Sequence, residues 1–240
     1  EFRFNTRLGR DTTVDELRQE GFRAFFISTG AHASLDLGVK GERDFPQVID
    51  AIAFLRDVTR GNRHSPGQRV AVIGGGNVAI DAARTLIRLG CHEVHLVYRR
   101  TRNEMPANVE EVKQAEEEGV QITFLTVPIE VLGRDGKVTG LKCLRAKLTE
   151  PDDKGRRKPV PVPGSDHVIG VDAIITAIGQ RIDREGLDSI ESLRWTKWGT
   201  LMADTITSAT SVEGVFSGGD LVLGPATAVE AIGAGKRAAE

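Results

Sequence analysis

Cysteine is scarce in this sequence: 240 residues contain only Cys91 and Cys143, and the two do not form a CxxC pair. A disulfide framework, a structural zinc site and a dithiol redox centre each need cysteines paired at short spacing, so none of the three is expected. We expect two buried thiols in a reducing compartment, the cytoplasm.

Long apolar runs are lacking as well. A membrane-spanning helix needs roughly 20 consecutive apolar residues, and no segment approaches that length; no signal-peptide pattern is visible either. The net charge is only −2, from 32 basic and 34 acidic residues, so no overall field attracts nucleic acid or an anionic membrane. We expect neither as a partner. The chain opens at Glu1 without a Met and closes within a helix at Glu240, which favours a segment of a larger protein.

Groups of catalytic side chains are also missing. The five histidines are scattered along the chain, and no Ser/His/Asp set, pair of carboxylates or cluster of metal ligands stands out. We therefore expect no metal site and assign no catalytic residue.

What the sequence does have is an alternation of strands and helices in its middle part. Val70–Ile73 is a continuous apolar run, typical of a parallel strand covered on both faces. The elements predicted after it are a helix ended by Gly90, a strand at Glu93–Tyr98, a helix between Asn108 and Gly119, and a strand at Val120–Leu125. This order indicates an α/β fold with a doubly wound parallel sheet.

The flanking segments contain shorter elements. Before the alternation we predict a half-buried strand at Glu1–Thr6, a helix whose capping box is Thr13–Glu16, a strand at Ala24–Ile27, a helix over Gln47–Asp57, and a boundary loop at Gly61–Gly67. After it we predict an antiparallel hairpin (Ile129–Leu132 and Val138–Leu148) around Asp135-Gly136, an exposed excursion over Glu150–Asp166, strands at Val171–Ala177 and Val212–Ser217, and a helix from Ala226. The basic residues of the excursion, Lys154, Arg156, Arg157 and Lys158, form either a patch for a partner or a solvated loop.

The turn after Val70–Ile73 reads Gly74-Gly75-Gly76-Asn77-Val78-Ala79 and fits GxGxxA. Gly74 permits the tight turn, Gly76 lets the backbone approach a pyrophosphate, and Ala79 keeps the helix close to the sheet. Free N–H groups and the positive end of the helix dipole then face the phosphates. This pattern predicts a dinucleotide-binding loop; the alternative is a tight turn without a ligand.

The second strand of this unit ends in Arg99 and Arg100. An NAD-selective site places an acidic side chain about 20 residues past the glycines, on the ribose 2′-hydroxyl. Guanidinium groups instead suit a 2′-phosphate, which they bind through two parallel hydrogen bonds. The pair favours NADPH over NADH; the alternative is an exposed arginine pair in a loop.

A second glycine-rich turn, Gly218-Gly219-Asp220, follows the strand near the C-terminus. The glycines allow close approach of a ligand, and the Asp220 carboxylate can accept a hydrogen bond from a sugar-like hydroxyl. The helix that opens near Thr227 and Ala228 could stabilise negative charge on a flavin ring at its N-terminus. A turn followed by an ordinary helix cap is the alternative.

Three stretches of this sequence resemble one known family: GGGNVAIDAARTLIRLG, VYRRTRNEMPA and GVFSGGDLVLGPATAVEAIGAGKRAA. They are similar to the small (β) subunit of NADPH-dependent glutamate synthase and to related FAD/NAD(P)-binding reductase modules. The likeness extends over nearly the whole chain and includes AIGQ at residues 177–180.

The resemblance implies two dinucleotide-binding domains, an NADP(H) domain at 67–184 inserted into an FAD domain formed by 1–66 and 185–240. It assigns the loop from Gly74 to Ala79 and the Arg99–Arg100 pair to NADP(H). It assigns Gly219, Asp220, Thr227 and Ala228 to FAD and includes Gly179 among the cofactor-binding residues. Thr29 and Gly30 would lie at the crossover from the FAD domain to the NADP(H) domain. The family's first GxGxxG motif and its cluster-binding cysteines would precede Glu1, so we expect only part of an FAD site.

The function implied is transfer of hydride from NADPH to FAD, with electrons passing on to an iron–sulfur partner such as the glutamate synthase large subunit. A ferredoxin- or pyrimidine-linked reductase using the same module is one alternative. A non-catalytic NADP(H)-binding module is the other.

Overall fold

In a computed structural model of the chain, which describes residues 1–153 and 155–240, the protein forms two compact units. The inner unit is Ser34–Gly179, and the outer unit combines Glu1–Ala33 with Gln180–Glu240. Each unit has its own apolar core.

The helices are α1 (Val14–Gln19), α2 (Ala51–Thr59), α3 (Asn77–Arg88), α4 (Val109–Glu117), α5 (Asp220–Leu223) and α6 (Ala228–Ala239), with a 3-10 turn at Arg102–Glu104. The strands are β1 (Phe25–Ile27), β2 (Ala33–Ser34), β3 (Val48–Asp50), β4 (Arg69–Ile73), β5 (Glu93–Val97), β6 (Gln121–Thr123), β7 (Thr126–Arg134), β8 (Lys137–Leu148), β9 (Pro159–Pro161), β10 (His167–Ile169), β11 (Ala173–Thr176), β12 (Gln180–Arg181) and β13 (Val215–Ser217). Among the described residues no helix has both the length and the apolar character needed to cross a bilayer.

The inner unit is built on a five-stranded parallel sheet in the order β3-β11-β4-β5-β6. β4 is almost entirely buried, as its continuous apolar run requires. From β4 the chain adds β5 and β6 on one side, whereas β11 and β3 lie on the other. The order of strands therefore reverses at β4, and ligands of open α/β sheets bind beyond the carboxyl ends of strands at such a point.

The second sheet of the inner unit is antiparallel. β8 pairs with β7, β9 and β10, and the β7–β8 hairpin turns at Asp135-Gly136 as the sequence predicts. Asp135 and Gly136 both have positive φ (51° and 73°), the conformation for which a D-G pair is suited. The short strand β9 lies inside the segment for which the sequence predicts only an exposed excursion. Lys154 of that segment lies outside the described residues.

The outer unit pairs β1 with β13 in parallel. The predicted capping box is present at α1, where Thr13 Oγ1 accepts a hydrogen bond from Glu16 N–H (3.2 Å) and Glu16 Oε2 accepts one from Thr13 N–H (2.8 Å). The core of this unit includes Leu187, Leu201 and Leu221, each at most 1% exposed.

Two sequence predictions of local structure are wrong. Glu1–Thr6 forms no strand: Phe2 and Phe4 are 85% and 80% exposed, and their rings stack at 5.8 Å. The segment Gln47–Asp57 is not one helix, because Val48–Asp50 form β3 and the helix begins only at Ala51. β3 is held by β11, a strand more than a hundred residues later that a local pattern does not reveal.

The compact units also divide the chain at positions other than those expected for the ligand-binding domains. Residues 34–66 lie in the inner unit, since β3 joins its parallel sheet and Phe54 of α2 is buried in its core. The return to the outer unit falls at Gly179/Gln180 rather than after residue 184.

Candidate functional site

The glycine turn lies at the point where the strand order of the inner unit reverses. Gly74 N–H donates to Val97 O (3.1 Å), and Ala177 N–H, just after β11, donates to Ile73 O (2.8 Å). Gly74 has φ 151°, and a Cβ on it would overlap the backbone carbonyl of Ala177. Glycine is therefore required at this position by the path of the chain.

Gly75 and Gly76 have different surroundings. A Cβ on Gly75 would overlap the ring of Tyr98, which is 7% exposed and whose hydroxyl donates to Glu104 O (2.6 Å). A Cβ on Gly76 would meet no atom of the described residues within 4 Å. The protein thus leaves open space beside Gly76, on the side from which a ligand can approach the backbone.

Helix α3 begins directly at this open space. Gly76 is its N-cap residue, and no side chain caps the helix start. Val78, half-buried, packs against the core of the inner unit, and Ala79 is fully buried beneath the first turn. Asn77 faces a neighbouring segment, because its Oδ1 accepts a hydrogen bond from Asn108 N–H (2.9 Å). Ala79 N–H donates to Gly76 O (3.0 Å), so within the described chain the first-turn amides that remain available to an anion are those of Asn77 and Val78.

Arg99 and Arg100 follow β5, next to the carboxyl end of β4. Arg99 is exposed and Arg100 half-buried, and in the part of the chain that the structure describes neither forms an ion pair with a carboxylate. The Arg100 Nε is buried without a hydrogen-bond partner there. Burial raises the pKa of Tyr98, while the charges of Arg100 and Arg99 oppose that rise. The parallel sheet thus brings two unpaired cations beside the glycine turn.

The outer unit contains a cavity of about 340 Å³ at the carboxyl ends of β1 and β13. Its lining consists mainly of small residues and of backbone: Phe26, Ser28, Gly30, Gly218, Gly219, Asp220, Ala226, Thr227, Ala228 and Ala231. Six of the residues singled out in the sequence meet here: Gly30, Gly218, Gly219, Asp220, Thr227 and Ala228. Thr29, exposed, is not part of the lining, whereas Phe26 and Ser28 are additions that no local sequence signal indicates.

Two features shape this cavity. Gly219 has φ 66°, and a Cβ on Gly218 would lie 2.9 Å from Ala234 Cβ, so both glycines are needed to bring α6 close to β13. Thr227 caps α6 through a capping box with Glu230. The Asp220 carboxylate forms no hydrogen bond or ion pair with any residue in 1–153 or 155–240, which leaves it free to accept one from a ligand.

Gly179 stands apart from both groups. It has φ 130°, and its carbonyl oxygen accepts a hydrogen bond from Leu35 N–H (3.2 Å). These contacts give it a structural role at the end of the inner unit.

Both cysteines are buried and unpaired. Burial raises the pKa of Cys143 to about 12 and also raises that of Cys91, whose Sγ lies 3.0 Å from Ser65 Oγ. Neither thiol is therefore a ready nucleophile near neutral pH. No group of three or more His, Cys, Asp or Glu side chains in the described chain is arranged to hold a metal ion.

Comparison with known proteins identifies the family. The family model of the pyridine nucleotide-disulphide oxidoreductases matches residues 5–235. This chain therefore belongs to the pyridine nucleotide-disulphide oxidoreductase family. The family and the relatives below support an oxidoreductase that uses NADP(H) and FAD.

The resemblance to glutamate synthase small subunits is confirmed. The chain is 38% identical to the glutamate synthase [NADPH] small chain of Escherichia coli, covering 100% of this chain and 54% of that protein. It is 49% identical to the NADP(+)-dependent formate dehydrogenase subunit beta of Moorella thermoacetica, covering 98% of this chain and 33% of that protein. The chain thus spans between a third and about half of the length of these relatives.

Solved structures agree on the fold. FprA of Mycobacterium tuberculosis in complex with NADPH matches with a TM-score of 0.75 at 19% identity, covering 96% of this chain and 64% of that chain. Together with the family match and the parallel and antiparallel sheets, this match confirms the predicted α/β fold class.

Proposed function

We propose that the inner unit binds NADP(H), with the diphosphate on the Gly74–Ala79 turn and the 2′-phosphate between Arg99 and Arg100. The observation that carries this proposal is the coincidence of three features at one strand end: open space beside Gly76, an uncapped helix start, and two arginines without an ion pair. Backbone amides suit a diphosphate, and guanidinium groups suit a phosphate monoester.

We further propose that the outer unit holds part of an FAD molecule. The cavity between β1, β13 and α6 is lined by glycines and alanines, which allow a flat ring to approach the backbone. Asp220 would accept a hydrogen bond from a ribityl or ribose hydroxyl. The capping box occupies the N–H groups of Thr227 and Glu230, so the amide of Ala228 and the dipole of α6 would favour negative charge on the ring. We thus propose that the inner unit is the NADP(H) domain and that the outer unit is part of the FAD domain. Gly179 would lie near the point where the chain passes from one to the other.

For the whole protein we propose an NADPH-dependent flavin oxidoreductase of the glutamate synthase small-subunit type. When bound, NADPH and FAD supply the redox chemistry, a hydride passing from nicotinamide to flavin, and no acid or base of the protein is needed. Electrons would leave to an iron–sulfur partner, the glutamate synthase large subunit or another acceptor. The chain is also 49% identical to a formate dehydrogenase subunit, which supports acceptors other than the glutamate synthase large subunit as alternatives.

The test of the nucleotide site is the double substitution Arg99→Ala and Arg100→Ala in the complete protein. Charged hydrogen bonds contribute about 1.5–3 kcal/mol each, so the loss should weaken NADPH binding by at least about tenfold and leave NADH binding unchanged. Calorimetric titration with both nucleotides measures this difference. Arg134→Ala, an exposed arginine at the end of β7 in the same unit, is the matched control.

Equal affinities for NADPH and NADH in the unaltered protein would contradict the 2′-phosphate site. An anaerobic titration with NADPH separates an enzyme from a mere binding module, since only the enzyme bleaches its flavin absorbance. A protein that binds NADPH without bleaching would support the non-catalytic alternative.

A further inference from the structure

The charged loop between β8 and β10 brings one of its arginines to Glu104, in the segment that follows Arg99 and Arg100. β9 pairs with the end of β8, and Thr149 N–H donates to Lys158 O (2.9 Å) while Lys158 N–H donates to Thr149 Oγ1 (3.0 Å). Arg157 Nε donates to Thr149 O (3.1 Å). The Arg157 guanidinium is therefore tied to the end of β8 and does not extend freely into solvent.

The partner of this guanidinium is Glu104, in the 3-10 turn that follows Arg99 and Arg100. Glu104 Oε2 accepts hydrogen bonds from the backbone N–H of Thr101 (3.2 Å) and from its hydroxyl. Glu104 Oε1 lies 3.8 Å from Arg157 Nη1. One carboxylate oxygen thus closes the turn, and the other faces a cation.

Glu104 would otherwise oppose the proposed ligand. Its side chain is only 20% exposed, and it lies four residues after Arg100 in the segment that carries the arginine pair. A carboxylate without a cationic partner in this segment would oppose binding of a 2′-phosphate to Arg99 and Arg100, because like charges repel. The hydrogen bonds from Thr101 and the charge of Arg157 both hold the pKa of Glu104 below its ordinary value, so it is ionised near neutral pH. Arg157 is the only cation that the described residues pair with it.

We propose that Arg157 is a positioning residue for NADPH selectivity: it neutralises Glu104, so that this carboxylate can close the turn beside Arg99 and Arg100 without repelling the 2′-phosphate. This inference rests on the proposed NADP(H) site. It gives a function to the charged excursion, which the sequence alone leaves between a partner patch and a solvated loop.

The test is Arg157→Gln in the complete protein, with the affinities for NADPH and NADH measured by calorimetry. An exposed ion pair is worth at most about fivefold in affinity, so NADPH binding should weaken by about two- to fivefold while NADH binding stays the same. Arg157→Lys should restore most of the lost affinity. Arg156→Gln, which removes the same charge from the neighbouring exposed residue, should have no effect.

The double variant with Glu104→Gln distinguishes neutralisation from mere structural support. Gln still serves as the acceptor of a capping box, so adding Glu104→Gln to Arg157→Gln should return NADPH affinity to at least the original value. A double variant no better than Arg157→Gln would overturn the proposal, because Arg157 would then act on the nucleotide directly or on the fold. If the Arg157→Gln variant keeps the full wild-type selectivity for NADPH, this inference alone is overturned. If the wild-type protein shows no selectivity for NADPH over NADH, the proposed site itself is overturned.

Discussion

At the scale of single residues, the adjacent glycines Gly75 and Gly76 serve different purposes: Gly75 is needed for packing, whereas Gly76 borders the proposed ligand site. Gly75 is needed because the Tyr98 ring occupies the space where its Cβ would be, and hydrogen bonding of the Tyr98 hydroxyl to Glu104 O holds that ring in place. Gly76 has extended backbone angles (φ −91°, ψ 176°) that any residue adopts, and no atom in the described part of the chain fills the space beside it. Packing within the described chain thus does not require glycine at this position, whereas a diphosphate approaching the backbone would.

We therefore expect Gly75→Ala to affect mainly stability and Gly76→Ala to affect mainly NADPH binding. Gly75→Ala overpacks the core and should lower the free energy of unfolding by about 1–3 kcal/mol. Gly76→Ala should lower it by less than about 1 kcal/mol, as for Ala at a helix N-cap, but should weaken NADPH binding by about tenfold because the methyl group faces the diphosphate. Urea unfolding and calorimetry measure the two quantities. Unimpaired NADPH binding by the Gly76 variant would show that the diphosphate lies elsewhere.

At the scale of elements, the sequence predicts best those parts whose signals are local. The strand-turn-helix of β4 and α3, the caps of α1 and α4 and the Asp135-Gly136 hairpin all depend on residues within one or two turns of each other, and all are present. β3 and β9 depend on partners distant in sequence, and both were missed. The alternation at Glu1–Thr6 has the pattern of a strand, yet pairs with no strand among the described residues.

The same distinction applies to the candidate sites. The glycine turn, the arginine pair and Asp220 are contiguous motifs and could be predicted. Tyr98 beneath Gly75, Phe26 in the outer cavity and Arg157 beside Glu104 could not, because each contact joins residues that only the tertiary fold brings together.

Helices α3 and α4 are joined by an ion-pair cluster whose effect depends on pH. Glu118, the C-cap residue of α4, accepts hydrogen bonds from Arg84 Nη2 (2.7 Å) and Arg88 Nη2 (2.8 Å). The hydrogen bond from Arg84 is the main cause that holds the pKa of Glu118 below its ordinary value. The folded state therefore binds this proton more weakly than the unfolded chain, so the stabilisation is present above the unfolded pKa of about 4.3 and is lost as pH falls through the folded value.

The substitution Glu118→Gln should accordingly destabilise the protein at pH 7, with a difference from the original protein that shrinks toward pH 3. Glu117→Gln is the control on the same helix. The only ion pair of Glu117 in the described chain is with Lys113 at 3.7 Å, and both side chains are exposed, so its loss should change stability little. Urea unfolding across this pH range measures both variants. A pH-independent loss for Glu118→Gln would mean that packing, not charge, is responsible.

At the scale of the whole molecule, the chain enters and leaves the inner unit at neighbouring points. Leu35 N–H donates to Gly179 O, so the two ends of Ser34–Gly179 meet. The buried clusters of the inner unit contain only residues of that unit, and the cluster of the outer unit likewise contains only its own. A unit that has its own core and whose two ends lie close together can fold independently of the domain into which it is inserted.

We therefore expect the fragment 34–179 to fold alone and to unfold cooperatively in urea. It should also prefer NADPH to NADH, as we propose for the complete protein, since every proposed nucleotide contact lies within it. The fragment 67–184, bounded as the sequence predicts for the NADP(H) domain, lacks β3 and α2 and so exposes one edge of the parallel sheet together with the core positions covered by Ala51 and Phe54. Removing a buried Phe side chain alone costs about 3–5 kcal/mol, so this fragment should be less stable by at least that amount or fail to fold. Equal stability and equal nucleotide binding of the two fragments would place the boundary after residue 66, and a fragment 34–179 that folds but binds neither nucleotide would show that the outer unit supplies part of the site.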